Sequence, residues 1–359
     1  MAISQECIRR GHTIDVYTMT WEGEHPPELK INIVPVHGVS NHSKAAAYSK
    51  YLTINLNRSI YDLVVGFNKI PGIDLYYAAD VCYSARIDNQ RNFLSKLTSR
   101  YRLFSNFEKE VFSPDSSTHI IYISRQEKKI YQDRFKTQEK RFHYAPPGIN
   151  KEKIREDMTF QNRQETRSLL SITEQDIFLL MIGSNFKTKG VDRSIRALAS
   201  LPDKLRKFTY LFIIGKGKEK KYKRMASSLG IVENVHFLGT RDDVPLFLAG
   251  ADFLLQPSLN ENTGNAIVEA LVAGVPVLAT ENCGYAEHIH LANAGKVVSS
   301  SPFKQETMDM TLKEMLLSDE QEFWSKNALV YADNTDLYNR FNVISDIIET
   351  IVTSKKSMA

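Results

Sequence analysis

Glu261 and Glu269 are the residues of this chain whose type, spacing and setting best suit chemistry. They lie in residues 257–279, PSLNENTGNAIVEALVAGVPVLA. A small polar loop with Asn262, Thr263 and Gly264 comes first, and Ala266, Ile267, Ala270 and Leu271 then recur at helical spacing. Gly274 is placed to end that helix, and the apolar run after it reads as a strand. If the whole segment were helical, the two carboxylates would sit about 12 Å apart along the axis. That separation suits a ligand with hydroxyl-bearing groups at its two ends and phosphates between, because helix N-terminal amides bind phosphate. A surface helix carrying two solvated glutamates would show the same spacing.

The surrounding elements must hold these residues in place. The apolar run at 177–182 ends in Gly183 and is typical of a parallel strand buried on both faces. A loop with Lys187, Thr188 and Lys189 leads to a helix over 191–201. Strands at 210–214 and 235–238 end in Gly215-Lys216-Gly217 and in Gly239-Thr240-Arg241-Asp242-Asp243. Strand–helix alternation at this cadence predicts an α/β fold built on a doubly wound parallel sheet. Ligands of such sheets bind outside the carboxyl ends of the strands. The loops holding Gly183, Lys187, Lys189, Thr240, Arg241 and Glu261 are therefore candidates to line one crevice.

An earlier set of strands, at 30–36, 61–65, 75–82 and 119–123, precedes Pro146-Pro147-Gly148, which marks a domain boundary. The expected division is 1–148, 149–330 and a C-terminal segment, 331–359. A helical run over 324–352, with Tyr338, Phe341, Ile344 and Ile348 on its apolar face, would cross back onto the first domain. Asp80 lies in Ala79-Asp80-Val81 at the end of the strand at 75–82, and could serve a ligand or be a helix cap or loop carboxylate. The chain opens on a helix over 1–11 with no strand before it, whereas a βαβ unit normally supplies one.

A length of 359 residues allows two domains, and 42% hydrophobic content with mixed charge marks a soluble globular protein. The net charge of +4 is too weak to argue for nucleic acid. Three cysteines without a CxxC suggest neither a zinc site nor a disulfide framework, which fits a reducing cytoplasm. No apolar run reaches membrane-spanning length. Residues 84–112 stand apart. Arg86, Arg91, Lys96, Arg100 and Arg102 accompany a stripe of Phe93, Leu97, Tyr101 and Phe104 at helical spacing. Such a segment suits an anionic membrane surface, and a core-facing helix with solvated cations fits it equally well.

The unit Glu261-x7-Glu269, followed by Ala270-x3-Gly274-x-Pro276-Val277, resembles the nucleotide-sugar site of the retaining glycosyltransferases of family 4. Cys283-Gly284-Tyr285-Ala286-Glu287 is similar to that family's second glycine turn. Arg10-Gly11-His12, Val65-Gly66-Phe67-Asn68-Lys69, Leu97-Thr98-Ser99-Arg100-Tyr101-Arg102 and Lys189-Gly190-Val191-Asp192-Arg193 look more closely like the lipopolysaccharide core glucosyltransferase I family of Gram-negative bacteria. The likeness covers nearly the whole chain. It implies a GT-B fold, two Rossmann-like domains facing a cleft, and transfer of glucose from UDP-glucose to an inner-core heptose with retention and no metal. That activity belongs to the cytoplasmic face of the inner membrane. No cofactor beyond the UDP-sugar donor is implied.

The resemblance also carries roles. Lys189 and Arg241 match the cations that face the diphosphate, Glu269 the ribose acceptor, and Glu261 the carboxylate near the hexose. Asn262, Thr263, Gly264, Gly183, Lys187 and Thr240 fall on the donor-binding loops, and Asp80 would face the acceptor. Glu261 is not expected to act as a nucleophile, since the family is thought to react by front-face attack. Thr188 stands where the family has an Arg, leaving Lys187 as the candidate replacement. The family also begins with a strand and a Gly-Gly loop that this chain lacks. A start placed too late is the preferred explanation; a truly shortened chain would instead be a non-catalytic, membrane-associated nucleotide-sugar binder.

Overall fold

Apolar residues on the short strands of the chain face buried clusters on both sides of the sheets, in two units of the chain. The computed structural model describes residues 1–89 and 93–358. One unit comprises Met1–Gly148 together with the segment from Asn339; the other is Ile149–Tyr338.

In the first unit, β1 (Ile14–Thr18) pairs in parallel with β2 (Leu29–Ile33). A second parallel ladder has the order β3 (Val65–Gly66), β4 (Leu75–Ala78), β5 (His119–Tyr122), β6 (Phe142–Tyr144). Successive side chains of a strand face opposite ways. Tyr76 and Ile120 accordingly join Phe112 and Tyr131 on one side, while Leu75 and Ile121 meet Ile344 and Ile351 of the helix Arg340–Met358 on the other.

Several sequence expectations change here. The strand at 61–65 shrinks to Val65–Gly66, because the Asp74 carboxylate takes the Val64 amide at 2.8 Å and Asp15 takes the Tyr61 hydroxyl at 2.7 Å. The strand at 75–82 stops at Ala78, where Ala79 turns back onto the Tyr77 carbonyl. Residues 84–112 are not one helix. They divide into Tyr83–Asn89, a 3-10 turn at Phe93–Leu97 and Ser99–Phe112, the last started by the Thr98 hydroxyl accepting from the Tyr101 amide. Leu97 is exposed, whereas Phe104 packs on the core that buries Phe107, Val111 and Phe112. Arg91 and the Phe93 side chain lie outside the described residues. The helical run at 324–352 breaks at residues 335–339 into Gln321–Asn334 and Arg340–Met358. Trp324, Ala328 and Ala332 are buried in the second unit, and the Tyr338 hydroxyl donates to the Ala332 carbonyl, so the crossing begins at Asn339 and not at 331.

The second unit is a six-stranded parallel sheet: β7 (Ile177–Ile182), β8 (Thr209–Ile214), β9 (Val235–Gly239), β10 (Phe253–Gln256), β11 (Val277–Thr280) and β12 (Gly295–Val298). Their spatial order is β12-β11-β10-β7-β8-β9. Helices cover both faces. Phe178, Leu180, Leu254, Ile267 and Leu271 fill one side, and Leu179, Met181, Leu255, Val191 and Ile195 the other. The chain winds outward in one direction from β7 to β9 and in the opposite direction from β10 to β12. The reversal falls between β7 and β10, the place where sheets of this kind bind ligands.

Candidate active site

The residues that end β7 and β10 meet at that reversal. After β7, Phe186 is buried and anchors the short helix Phe186–Lys189. After β10, the chain passes through the buried Gln256, Pro257 and Ser258 to Glu261. The Lys189 Nζ donates to Glu261 Oε2 at 2.5 Å, with the two side chains 17% and 18% exposed. Two glycines make this approach possible. At Gly190, φ is +73° and a Cβ would lie 2.0 Å from the Pro257 carbonyl oxygen. At Gly183, φ is +141° and a Cβ would lie 2.4 Å from Lys189 Cε. Both φ values are in a region that L side chains seldom occupy. The Leu259 amide donates to the Thr188 carbonyl at 2.8 Å, and Arg193 Nη1 to the Pro257 carbonyl at 3.1 Å, which fixes the two loops together.

The Glu261 loop is fastened on its other side as well. The Glu261 amide donates to the Asn282 carbonyl at 3.1 Å, the Gly284 amide to the Glu261 carbonyl at 3.0 Å, and the Tyr285 amide to the Thr263 carbonyl at 2.8 Å. The second glycine turn is thus the splint for the first loop. It also corrects the helical picture of the pair. Glu261 lies in a bridge to Cys283, and the helix begins only at Asn265, so an axial rise does not relate Glu261 to Glu269. Gly264 precedes the helix Asn265–Ala273, whose N-terminus has no side-chain cap. Asn262 and Thr263 are half-buried beside it.

Glu269 stands on the second turn of that helix, half-buried. Burial pushes its carboxyl above the ordinary glutamate value, and the charges of Lys189 and Lys153 pull the other way. Among the described residues its carboxylate has no hydrogen-bond partner. Burial, reinforced by the Glu261 charge, holds the Cys283 thiol up at about 11, so it is neutral.

The other expected residues are not all gathered here. Arg241 follows β9, an edge strand separated from β7 by β8, and it is engaged within its own loop. Its Nε and Nη2 donate to the Asp243 carboxylate at 2.8 and 2.5 Å, and its guanidinium lies 5.0 Å from the centre of the Phe247 ring. Thr240 on the same loop is exposed, as is Lys187 on the Phe186 helix. Asp80 belongs to the other unit, where its side chain is exposed and its carbonyl accepts from the Tyr131 hydroxyl at 3.2 Å. Two features went unread in the sequence. Gln256 and Ser258 place Nε2 and Oγ 3.5 and 3.4 Å from Glu261 Oε2, and the signal was a buried polar pair closing an apolar strand. In the first unit, the fully buried Glu108 accepts from Lys69 Nζ at 2.9 Å and from the Tyr83 and Ser84 amides at 2.6 and 2.9 Å, fixing the turn after Asp80.

The family of glycosyl transferases group 1 matches residues 162–329, which include Lys189, Arg241, Glu261 and Glu269. The chain is 41% identical to the lipopolysaccharide glucosyltransferase WaaG of Escherichia coli K12 over 349 residues, covering 97% of this chain and 93% of that protein. The chain belongs to the group 1 glycosyltransferases. As such a glycosyltransferase it has the GT-B architecture of two Rossmann-like units: the crystal structure of WaaG superposes with a TM-score of 0.89, covering 97% of this chain and 94% of that one. The Anabaena protein Alr3699/HepE, solved in complex with UDP and glucose, shares the fold with a TM-score of 0.66 at 16% identity, over 90% of this glycosyltransferase and 86% of that chain.

Proposed function

We propose that this glycosyltransferase moves glucose from UDP-glucose, with retention, to an inner-core heptose of lipopolysaccharide. The observation that carries the donor half is the meeting of Lys189 and Glu261 at the sheet's reversal, beside a helix without a side-chain cap that bears Glu269, whose carboxylate has no hydrogen-bond partner among the described residues. The departing diphosphate builds negative charge, and preorganised cations and amides stabilise it most when they are already in place. Lys189 and the N-terminus of the Asn265 helix supply these, with no resident metal or cofactor in the scheme. Glu269 accepts from the ribose hydroxyls and so gains the hydrogen bonds its half-buried carboxylate lacks. Glu261 accepts from the hexose hydroxyls. Arg241 contributes a second cation once it turns from Asp243, Lys187 and Thr240 edge the same loops, and Asp80 serves the acceptor side. The acceptor hydroxyl bonds to the anomeric carbon on the face from which UDP leaves, and its proton passes to the leaving diphosphate. The glucose and lipopolysaccharide identities rest on the name of the 41% identical relative, a lipopolysaccharide glucosyltransferase, and the heptose on the motif resemblance alone.

The acceptor is carried by a lipid, and residues 84–112 suit the work of reaching it at the cytoplasmic face of the inner membrane. Leu94 and Leu97 are exposed next to the exposed Arg100 and Arg102, an apolar and basic combination that favours an anionic surface. Among the described residues no helix is long and apolar enough to cross a membrane. The test is UDP release from UDP-glucose with and without heptosylated core acceptor. Release that depends on the acceptor is expected; no acceptor-dependent release with any UDP-hexose would sink the reading.

A further inference from the structure

We infer that the Lys189–Glu261 ion pair is a partner exchange that reports whether the donor still carries its hexose, an inference that rests on the UDP-sugar reading above. The geometry leaves Glu261 few alternatives. Its Oε2 sits 2.5 Å from Lys189 Nζ, while Ser258 Oγ and Gln256 Nε2, at 3.4 and 3.5 Å, are at the outer limit of a hydrogen bond. The Cys283 thiol beside it is buried and carries no positive charge. A half-buried carboxylate that loses its one close cation among the described residues is left under-satisfied, and such a group is costly.

An arriving diphosphate competes with Glu261 for Lys189 and also brings like charge toward that carboxylate. A hexose attached to the diphosphate offers hydroxyl donors, and these replace Lys189 on Glu261. UDP alone offers none at that end, since its ribose hydroxyls are the ones given to Glu269. The exchange is therefore complete with UDP-hexose and incomplete with UDP, so Glu261 works against retention of the product and in favour of the donor. Gly183 adds to the picture: its missing Cβ is the space through which the Lys189 stem passes, so Lys189 can shift between carboxylate and phosphate without the loop opening.

Calorimetric titration of UDP and of UDP-glucose into the full chain, its Glu261→Gln variant and its Glu261→Ala variant tests this, with thermal melts as the folding control. Both variants are expected to bind UDP about five-fold more tightly than the wild type, the scale of one partly exposed ion pair, and to lose the preference for UDP-glucose. If UDP affinity is unchanged or weaker in folded variants, Glu261 only holds Lys189 in place for phosphate, and the exchange is overturned while the donor reading stands. A wild type that binds neither nucleotide defeats the donor reading itself.

Discussion

The two ends of the β7–β10 strand pair each carry an ionic cluster, and the clusters differ in how completely they are satisfied. At the amino end, Asp252 precedes β10 and gathers Arg163 Nη2 at 2.9 Å, Arg167 Nη1 at 3.2 Å and the Phe178 amide at 2.7 Å. Arg167 spends its remaining donors on the carbonyls of Gly250, Thr173 and Asp176, and its side chain is 2% exposed. At the carboxyl end, Lys189 and Glu261 have one short contact between them, Glu269 has no hydrogen-bond partner among the described residues, and a helix N-terminus goes uncapped. A saturated network fixes loops; an unsaturated one of the same charge types is where a ligand completes the bonding. Burial and charge alone would have marked both ends as sites.

The sharpest way to break that contrast is to disturb the saturated end. Arg167→Ala empties a buried position and leaves the Gly250, Thr173 and Asp176 carbonyls without that donor, while Asp252 keeps Arg163 and the Phe178 amide. It is expected to lower the unfolding free energy by about 2–3 kcal/mol, read by denaturant titration, while UDP affinity below the melting range stays at the wild-type value. A changed UDP affinity would mean that the two ends are not separate in function. The paired glycines come next. Gly190→Ala meets a backbone carbonyl that cannot yield and should cost at least about 2 kcal/mol of stability. Gly183→Ala meets the movable end of Lys189, so its larger expected effect is lost glycosyl transfer, with a smaller shift in melting temperature.

Glu269→Gln sharpens the comparison with the smallest effect and an opposite pair of signs. Burial raises the Glu269 carboxyl, so the folded chain binds that proton more readily than the unfolded one. The associated stability is present at acid pH and is lost as pH rises through the raised value. Removing the charge should thus stabilise the ligand-free protein at neutral pH by up to about 1 kcal/mol, while weakening UDP about ten-fold if the carboxylate takes the ribose hydroxyls as proposed. In the wild type, UDP binding should begin to weaken on acidification above the ordinary glutamate range. A Glu269→Gln protein no more stable and no weaker for UDP would place Glu269 among the satisfied residues.

The second unit was more legible in the sequence than the first, for a physical reason. The run at 177–182 is buried on both faces and carries its own signal, so β7 matched to the residue, whereas the helical spacing of Glu261 and Glu269 did not hold, because Glu261 bridges to Cys283 and the helix begins only at Asn265. What spacing could not show was partnership. Arg167 and Asp252 are 85 positions apart, and Glu108 and Lys69 are 39 apart, so only the folded chain joins them. Arg241 illustrates the reverse case: its loop was found, but a carboxylate two residues on, Asp243, holds it. The 84–112 segment had helical periodicity throughout, yet Thr98 restarts the helix locally, and an average over the stripe hides one capping hydroxyl. The break at residues 335–339 likewise reflects which unit buries each half.

The donor site itself is tested most directly by titrating UDP-glucose into the wild type and into Lys189→Ala, with circular dichroism to confirm the fold. Saturable binding to the wild type and a loss of about 100-fold or more in the variant is the expected result, the scale of removing one partner from a desolvated charge contact. Equal affinity for UDP-glucose in the two proteins would contradict the placement of the diphosphate at Lys189.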